Sequence, residues 1–152
     1  MLNSRRNSGH RCDCISGKNH IGCYWKTLIW SSHKYTVMPQ LVTCGSEFLR
    51  INAQKNSIEY SSNGGRTWHN RFCMSSVGTF RDLLVMGADL FAATSKGLYW
   101  SRNGGATWVT RYNNSAVGEF QTLATDGAVL LAGTSKGLFV SRNQGMTWER
   151  RR

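Results

Sequence analysis

The sequence predicts an all-β fold: a β-propeller-like array of four-stranded antiparallel blades, about three per chain, that association between chains would complete. Its repeats carry that expectation. The octet Ser61-Ser62-Asn63-Gly64-Gly65-Arg66-Thr67-Trp68 recurs as Ser101-Arg102-Asn103-Gly104-Gly105-Ala106-Thr107-Trp108 and as Ser141-Arg142-Asn143-Gln144-Gly145-Met146-Thr147-Trp148, at a spacing of 40 residues each time. The similarity also runs well past the octets. Compared without a gap, residues 81–112 and 121–152 agree at 17 of 32 positions.

Taken in order, the unit 81–120 reads as short strands: Leu83 to Met86, Leu90 to Thr94, Leu98 to Ser101, then Trp108 to Tyr112. The separators are Gly87-Ala88-Asp89, Ser95-Lys96-Gly97 and the octet. These are turn chemistry rather than helix caps. The unit 121–152 repeats the order but stops at Arg152, where its outer strand should run, so it is expected to be one strand short. The unit 38–80 is more diverged, its residues 41–51 matching 83–93 once two extra residues are allowed near Gln54 to Ser57. A degraded partial unit, 18–37, precedes it, with Gly22 and Trp25 aligning with Gly65 and Trp68. Residues 23–31 could then supply the strand missing from the last blade. Residues 1–17 form a basic, cysteine-containing leader expected to be flexible.

Closure of that kind gives three blades, whereas propellers usually have roughly four to eight. Apolar blade faces and unpaired strand edges left open are liabilities that proteins normally cover. A homo-oligomer is therefore expected, with a dimer favoured because two three-bladed copies would close a six-bladed ring with two-fold symmetry. The competing reading is a remnant of a longer propeller.

A length of 152 residues suits one domain, and 16 Gly with a single Pro fit many tight turns between short elements. The net charge of +11 is concentrated at the ends, with +5 in residues 1–40 and +2 in the last four. Such a balance attracts polyanions, although nucleic acid is not the favoured partner. No apolar run is long enough to span a membrane and no signal peptide is visible, so no membrane association and a cytoplasmic location are expected. Five cysteines, three of them crowded at Cys12, Cys14 and Cys23, make no persuasive disulfide framework.

The octet resembles the Asp box of the BNR repeat family, Ser-x-Asp-x-Gly-x-Thr-Trp, found in sialidases, sortilin-type receptors, photosystem II assembly factors and xyloglucan hydrolases. With the repeat around it, the resemblance covers about residues 38–152. Asn63, Asn103 and Asn143 stand where the family has Asp. The residues themselves explain the motif as a folding device. The Asn side chain can accept from backbone N–H groups of a tight turn and tolerates left-handed backbone angles, while Gly65, Gly105 and Gly145 supply positive φ. Ser61, Ser101 and Ser141 belong to the same structural box, hydroxyls of Thr67, Thr107 and Thr147 can complete the turns' polar satisfaction, and Trp68, Trp108 and Trp148 bury apolar area. The resemblance implies a box placed between the third and fourth strands, away from the ligand face, so its residues are structural.

No catalytic residues are expected, and the chain reads as a binding or assembly scaffold; the alternative is a sialidase-like glycoside hydrolase fragment. The sialidase resemblance would imply three substrate-binding arginines and a Tyr–Glu pair with an Asp acid. The acids present are Asp13, Asp82, Asp89, Asp126, Glu47, Glu59, Glu119 and Glu149, several of them in turns or at strand starts. Phe80-Arg81 faintly matches a Phe-Arg-Ile-Pro element but lacks the Ile-Pro, and reads as a strand start. No HExxH, Walker-type or GxSxG motif occurs, and no cofactor is expected.

Binding candidates come from the repeat. Lys96 and Lys136 occupy the same turn between second and third strands, with Lys55 near that place in the diverged unit, so an anionic or carbohydrate ligand is the leading expectation. Against it stands the plainer reading of Ser-Lys-Gly as a solvated hairpin turn. Arg71, Arg111 and Arg151 each follow a repeat Trp by three residues and are expected to stack or pair on the outer strand. Cys12, Cys14, His20 and Cys23 are ligand types that zinc takes, in a spacing that is not a recognised one, and form only a weak metal candidate.

Overall fold

A computed structural model describes residues 40–152. These form three four-stranded antiparallel sheets in sequence order, with no α-helix among the described residues. Blade 1 consists of β1 (Leu41–Cys44), β2 (Glu47–Asn52), β3 (Ser57–Ser61) and β4 (His69–Phe72); blade 2 of β5 (Phe80–Met86), β6 (Asp89–Thr94), β7 (Gly97–Ser101) and β8 (Val109–Tyr112). Blade 3 consists of β9 (Phe120–Thr125), β10 (Leu130–Thr134), β11 (Gly137–Ser141) and β12 (Glu149–Arg150). Within each blade every strand pairs with its sequence neighbour. The first strands β1, β5 and β9 lie next to one another from blade to blade. A short 3-10 turn, Ser75–Val77, lies in the linker between blades 1 and 2.

The all-β blade architecture is the one the repeats predict, with two differences in detail. Phe80-Arg81 does open a strand, but β5 starts three residues earlier than Leu83 because a bulge between Phe80 and Asp82 absorbs the irregular pairing. The last blade is not one strand short. After Trp148 the chain returns beside β11 at once, and Val140↔Glu149 and Phe139↔Arg150 pair, so a two-residue β12 is the fourth strand. Residues 23–31, expected in that role, lie outside the described residues.

Hydrophobic alternation places the core between blades, because each sheet buries one face on its neighbour. Between blades 1 and 2 lie Val42, Leu49, Ile58, Leu83 and Leu90; between blades 2 and 3 lie Leu84, Phe91, Leu98, Leu123, Leu130 and Phe139. Each junction is finished by an aromatic trio. Phe72 of one blade meets Phe80 and Trp108 of the next, and Tyr112 meets Phe120 and Trp148 in the same way, with ring centroids 5.3–6.5 Å apart. At these separations edge-on aromatic contacts add to the area buried.

The three octets fold alike. In each, the Ser hydroxyl accepts from the Gly N–H (Gly65, Gly105, Gly145; 2.8–2.9 Å) and donates to the Asn oxygen. That oxygen also accepts from the Thr N–H, while the Asn amide nitrogen donates to the Thr hydroxyl at 2.8–2.9 Å. An Asp would keep the acceptors but not that donor. The positive φ angles fall on Gly65, Gly105 and Gly145 (83°, 85° and 84°) and on the residue before each, not on the Asn. The Asn residues therefore act here by hydrogen bonding alone. The indole N–H groups of Trp108 and Trp148 close their turns by donating to the carbonyls of Gly105 and Gly145.

Candidate functional site

Antiparallel pairing puts the octets at one end of each third strand and the second-to-third hairpins at the other. Thr94 pairs with Gly97 and Thr134 with Gly137, which leaves Ser95-Lys96 and Ser135-Lys136 as two-residue loops. The Thr94 and Thr134 hydroxyls each accept from the lysine N–H at 3.1 Å, a side-chain-stabilised turn that fixes the loop. Gly97 is required on geometric grounds: its φ is 136°, and an added Cβ would stand 2.3 Å from the Tyr112 carbonyl.

Each loop is then clamped onto the linker that enters its own blade. Ser95 bonds Thr79 through both its N–H and its hydroxyl at 3.0 Å, and Ser135 bonds Glu119 identically. Both lysines lean over the same linkers: Lys96 Nζ donates to the Ser76 carbonyl at 3.2 Å and Lys136 Nζ to the Ser115 carbonyl at 2.7 Å. Their ammonium groups remain exposed and carry no acidic partner in either contact.

The consequence is an open cleft of about 350 Å³ between blades 2 and 3, lined by Lys96 and Lys136 together with Asn113, Asn114 and Ser115 of the linker. Glu119 also lines it, but its carboxylate is held by Arg81 at 2.7 Å. Lys136, whose ammonium sits on Ser115 of this cleft, and Lys96, whose side chain lines it while its ammonium sits on Ser76 of the preceding linker, join two carboxamides and hydroxyls around one concavity, a set suited to an anionic, hydroxyl-bearing ligand. The structure brings Lys96 and Lys136 together and leaves Lys55 out. Lys55 sits in the wider turn of blade 1, does not line this cleft, and has its Nζ 3.9 Å from Glu59.

The linker residues were not singled out by the sequence reading. A signal was present: Asn113-Asn114 replaces the Cys73-Met74 of the preceding copy, turning an apolar linker polar. Between blades 1 and 2, Met74 instead helps line a separate groove of about 500 Å³ with Phe72, Tyr99 and Trp108.

Several other charged groups are engaged in structure. Arg71 pairs with Glu47 and lies 3.9 Å from the Tyr60 ring centroid; Arg111 lies 4.4 Å from that of Trp100 and donates to the Gln144 carbonyl. Glu59 is buried, which alone would raise its pKa, but bonds from Asn52 and Arg50 hold it below the ordinary glutamate value. Asp82, also buried, accepts from the N–H groups of Leu83 and Leu123. Cys12, Cys14, His20 and Cys23 lie outside the described residues, among which no cluster of metal-ligating side chains occurs. No described helix is long and apolar enough to cross a membrane.

Solved structures share this architecture. YCF48 from Cyanidioschyzon merolae superposes with a TM-score of 0.57 at 19% identity, over 70% of this chain and 36% of its own. An ancestral GH74 enzyme gives 0.55 at 18% identity over 68% of this chain and 16% of its own. The GH74 enzyme of Niastella koreensis gives 0.52 at 20% identity over 75% and 20% respectively. The chain thus spans about a third or less of the length of these propellers. No family model and no curated protein matches it.

Proposed function

We propose that this chain is a non-catalytic Asp-box propeller module that serves as a binding or assembly scaffold, and that the cleft between Lys96 and Lys136 takes an anionic or acidic-carbohydrate ligand. The observation that carries the proposal is that lysines from two successive repeats line one cleft in which the one carboxylate among the described residues, that of Glu119, is already paired with Arg81. Equivalent hairpins of successive repeats thereby line one site.

The engagement of the acidic side chains among the described residues supports a binding rather than a hydrolytic role. Glu47, Glu59, Asp89, Glu119 and Glu149 each face an arginine, while Asp82 and Asp126 accept from backbone N–H groups. A glycosidase needs carboxylates poised at the scissile bond, not tied to strand registers.

Titration calorimetry with a sialylated trisaccharide and with a sulfated disaccharide tests the reading on the wild-type chain and on the Lys96→Gln/Lys136→Gln double variant. Gln keeps a donor for the Ser76 and Ser115 carbonyls and removes only the charge. Binding of either probe should weaken at least about tenfold in the variant and fall with added salt. Equal affinity in both proteins would refute the site, and turnover of a fluorogenic sialoside would refute the scaffold reading in favour of a glycosidase.

A further inference from the structure

One leucine position separates the ends of the array from its middle. Leu41, Leu83 and Leu123 occupy the same register, opposite Arg50, Ala92 and Ala132. Leu83 is 0% and Leu123 7% exposed, each packed into the junction with the preceding blade, whereas Leu41 is 54% exposed. The other end behaves likewise. Leu98 is buried at the junction with blade 3, its side chain reaching Gly145, while its equivalent Leu138 is 46% exposed. Among the described residues, then, blade 1 is open at Leu41 on its rear face and blade 3 at Leu138 and Ala124 on its forward face, while Phe48, Arg50 and Leu131 are half-buried and Val140 is buried.

The two faces differ from the internal ones in opposite senses. Where blade 2 presents Leu84, Phe91, Ala93 and Trp100 forward, blade 3 has the smaller Ala124, Leu131, Gly133 and Val140 in the same registers. Where blades 2 and 3 turn Leu90 or Leu130 and Ala92 or Ala132 to the rear, blade 1 has the larger Phe48 and Arg50. Volume lost at one end is matched by volume gained at the other, as close packing across a junction requires. Arg50 need not oppose burial: Glu59 neutralises it at 2.7 Å and it lies 4.1 Å from the Trp68 ring centroid.

Polar links across the internal junctions have sequence counterparts at the forward end of blade 3. Gln40 accepts from the Leu83 N–H and Asp82 from the Leu123 N–H; the same position in blade 3 is Thr122, whose hydroxyl lies over Gly133 on the forward side. Arg111 donates to the Gln144 carbonyl of the next octet, and Arg151 follows Trp148 as Arg111 follows Trp108.

We propose that the forward face of blade 3 docks on the rear face of blade 1 of a second copy, and that two such junctions close a six-bladed ring with two-fold symmetry. Leu138 covers Gly65 and Trp68 of the partner subunit, Thr122 accepts from the N–H of the partner's Leu41, and Arg151 reaches the carbonyl of the partner's Gly64. Such a ring leaves no blade face open.

The test uses light scattering behind a size-exclusion column on the full 152-residue chain. Wild type should run at twice the chain mass, and Leu41→Asp and Leu138→Asp should each halve it. Both side chains are about half exposed, so neither change should alter the fold, which the urea midpoint checks. An equimolar mixture of the two variants keeps one junction free of substitutions, formed by blade 3 of the Leu41→Asp copy and blade 1 of the Leu138→Asp copy. The mixture should therefore recover dimer that neither variant forms alone. A monomeric wild type, a dimer that survives either substitution, or a mixture that stays monomeric would each overturn the proposal.

Discussion

Asn103 offers the sharpest test of the octet as a folding device, because Ala and Asp separate its acceptor role from mere occupancy. Its oxygen accepts from the Ser101 hydroxyl and the Thr107 N–H, both at 2.9 Å, and its amide nitrogen donates to the Thr107 hydroxyl at 2.9 Å. Ser101 is buried, so Asn103→Ala strands part of a buried hydroxyl, at about 1 kcal/mol. The two Thr107 bonds lie at the surface, where water replaces them in part, and together contribute about 1 kcal/mol more. With a urea slope near ~2 kcal/mol/M, a loss of about 2 kcal/mol lowers the midpoint by about 1 M. Asn103→Asp retains both acceptors, and the Thr107 hydroxyl can turn to donate to the carboxylate, so its change should stay within about 0.5 kcal/mol. Urea unfolding followed by tryptophan fluorescence measures both, and hydrogen exchange at the Thr107 amide should speed up in the Ala variant only. An Ala variant with an unmoved midpoint, or an Asp variant as weak as Ala, would refute the reasoning.

Gln144 holds φ 57° where the earlier octets have Gly64 and Gly104, so Gln144→Gly should stabilise the chain by about 1 kcal/mol, read as a raised urea midpoint; a lowered one would show that the side chain matters more than the backbone. Glu59 titrates below its ordinary value when folded, so its contribution is present above the unfolded glutamate range and lost as pH falls through the folded pKa. The stability of Glu59→Gln should accordingly fall less steeply on acidification below about pH 4 than that of wild type, and parallel curves would sink the argument.

Much of the blade was legible in the chain itself. Alternating apolar residues and the separators Gly87-Ala88-Asp89 and Ser95-Lys96-Gly97 located the strands of blade 2 to within a few residues. The octets announced their own hairpins, because Ser, Asn, Gly and Thr within eight positions satisfy one another without help from the rest of the fold. The early start of β5 was hidden, since the bulge after Phe80 depends on its pairing with β6. So was β12: two residues carry no period, and only the neighbouring β11 makes them a strand.

The candidate site divides in the same way. Sequence by itself determined that Lys96 and Lys136 share a turn, that Trp108 and Trp148 close equivalent octets, and that about three similar blades follow one another, because those features depend on contacts a few residues apart. Only the tertiary structure decided that the two lysines line one cleft with Asn113 and Asn114, that Lys55 turns to Glu59 instead, and that Leu41 and Leu138 lie open while their equivalents are buried. Those outcomes depend on how one blade is set against the next, and residues some 40 positions apart in the chain meet there through packing that no local pattern encodes.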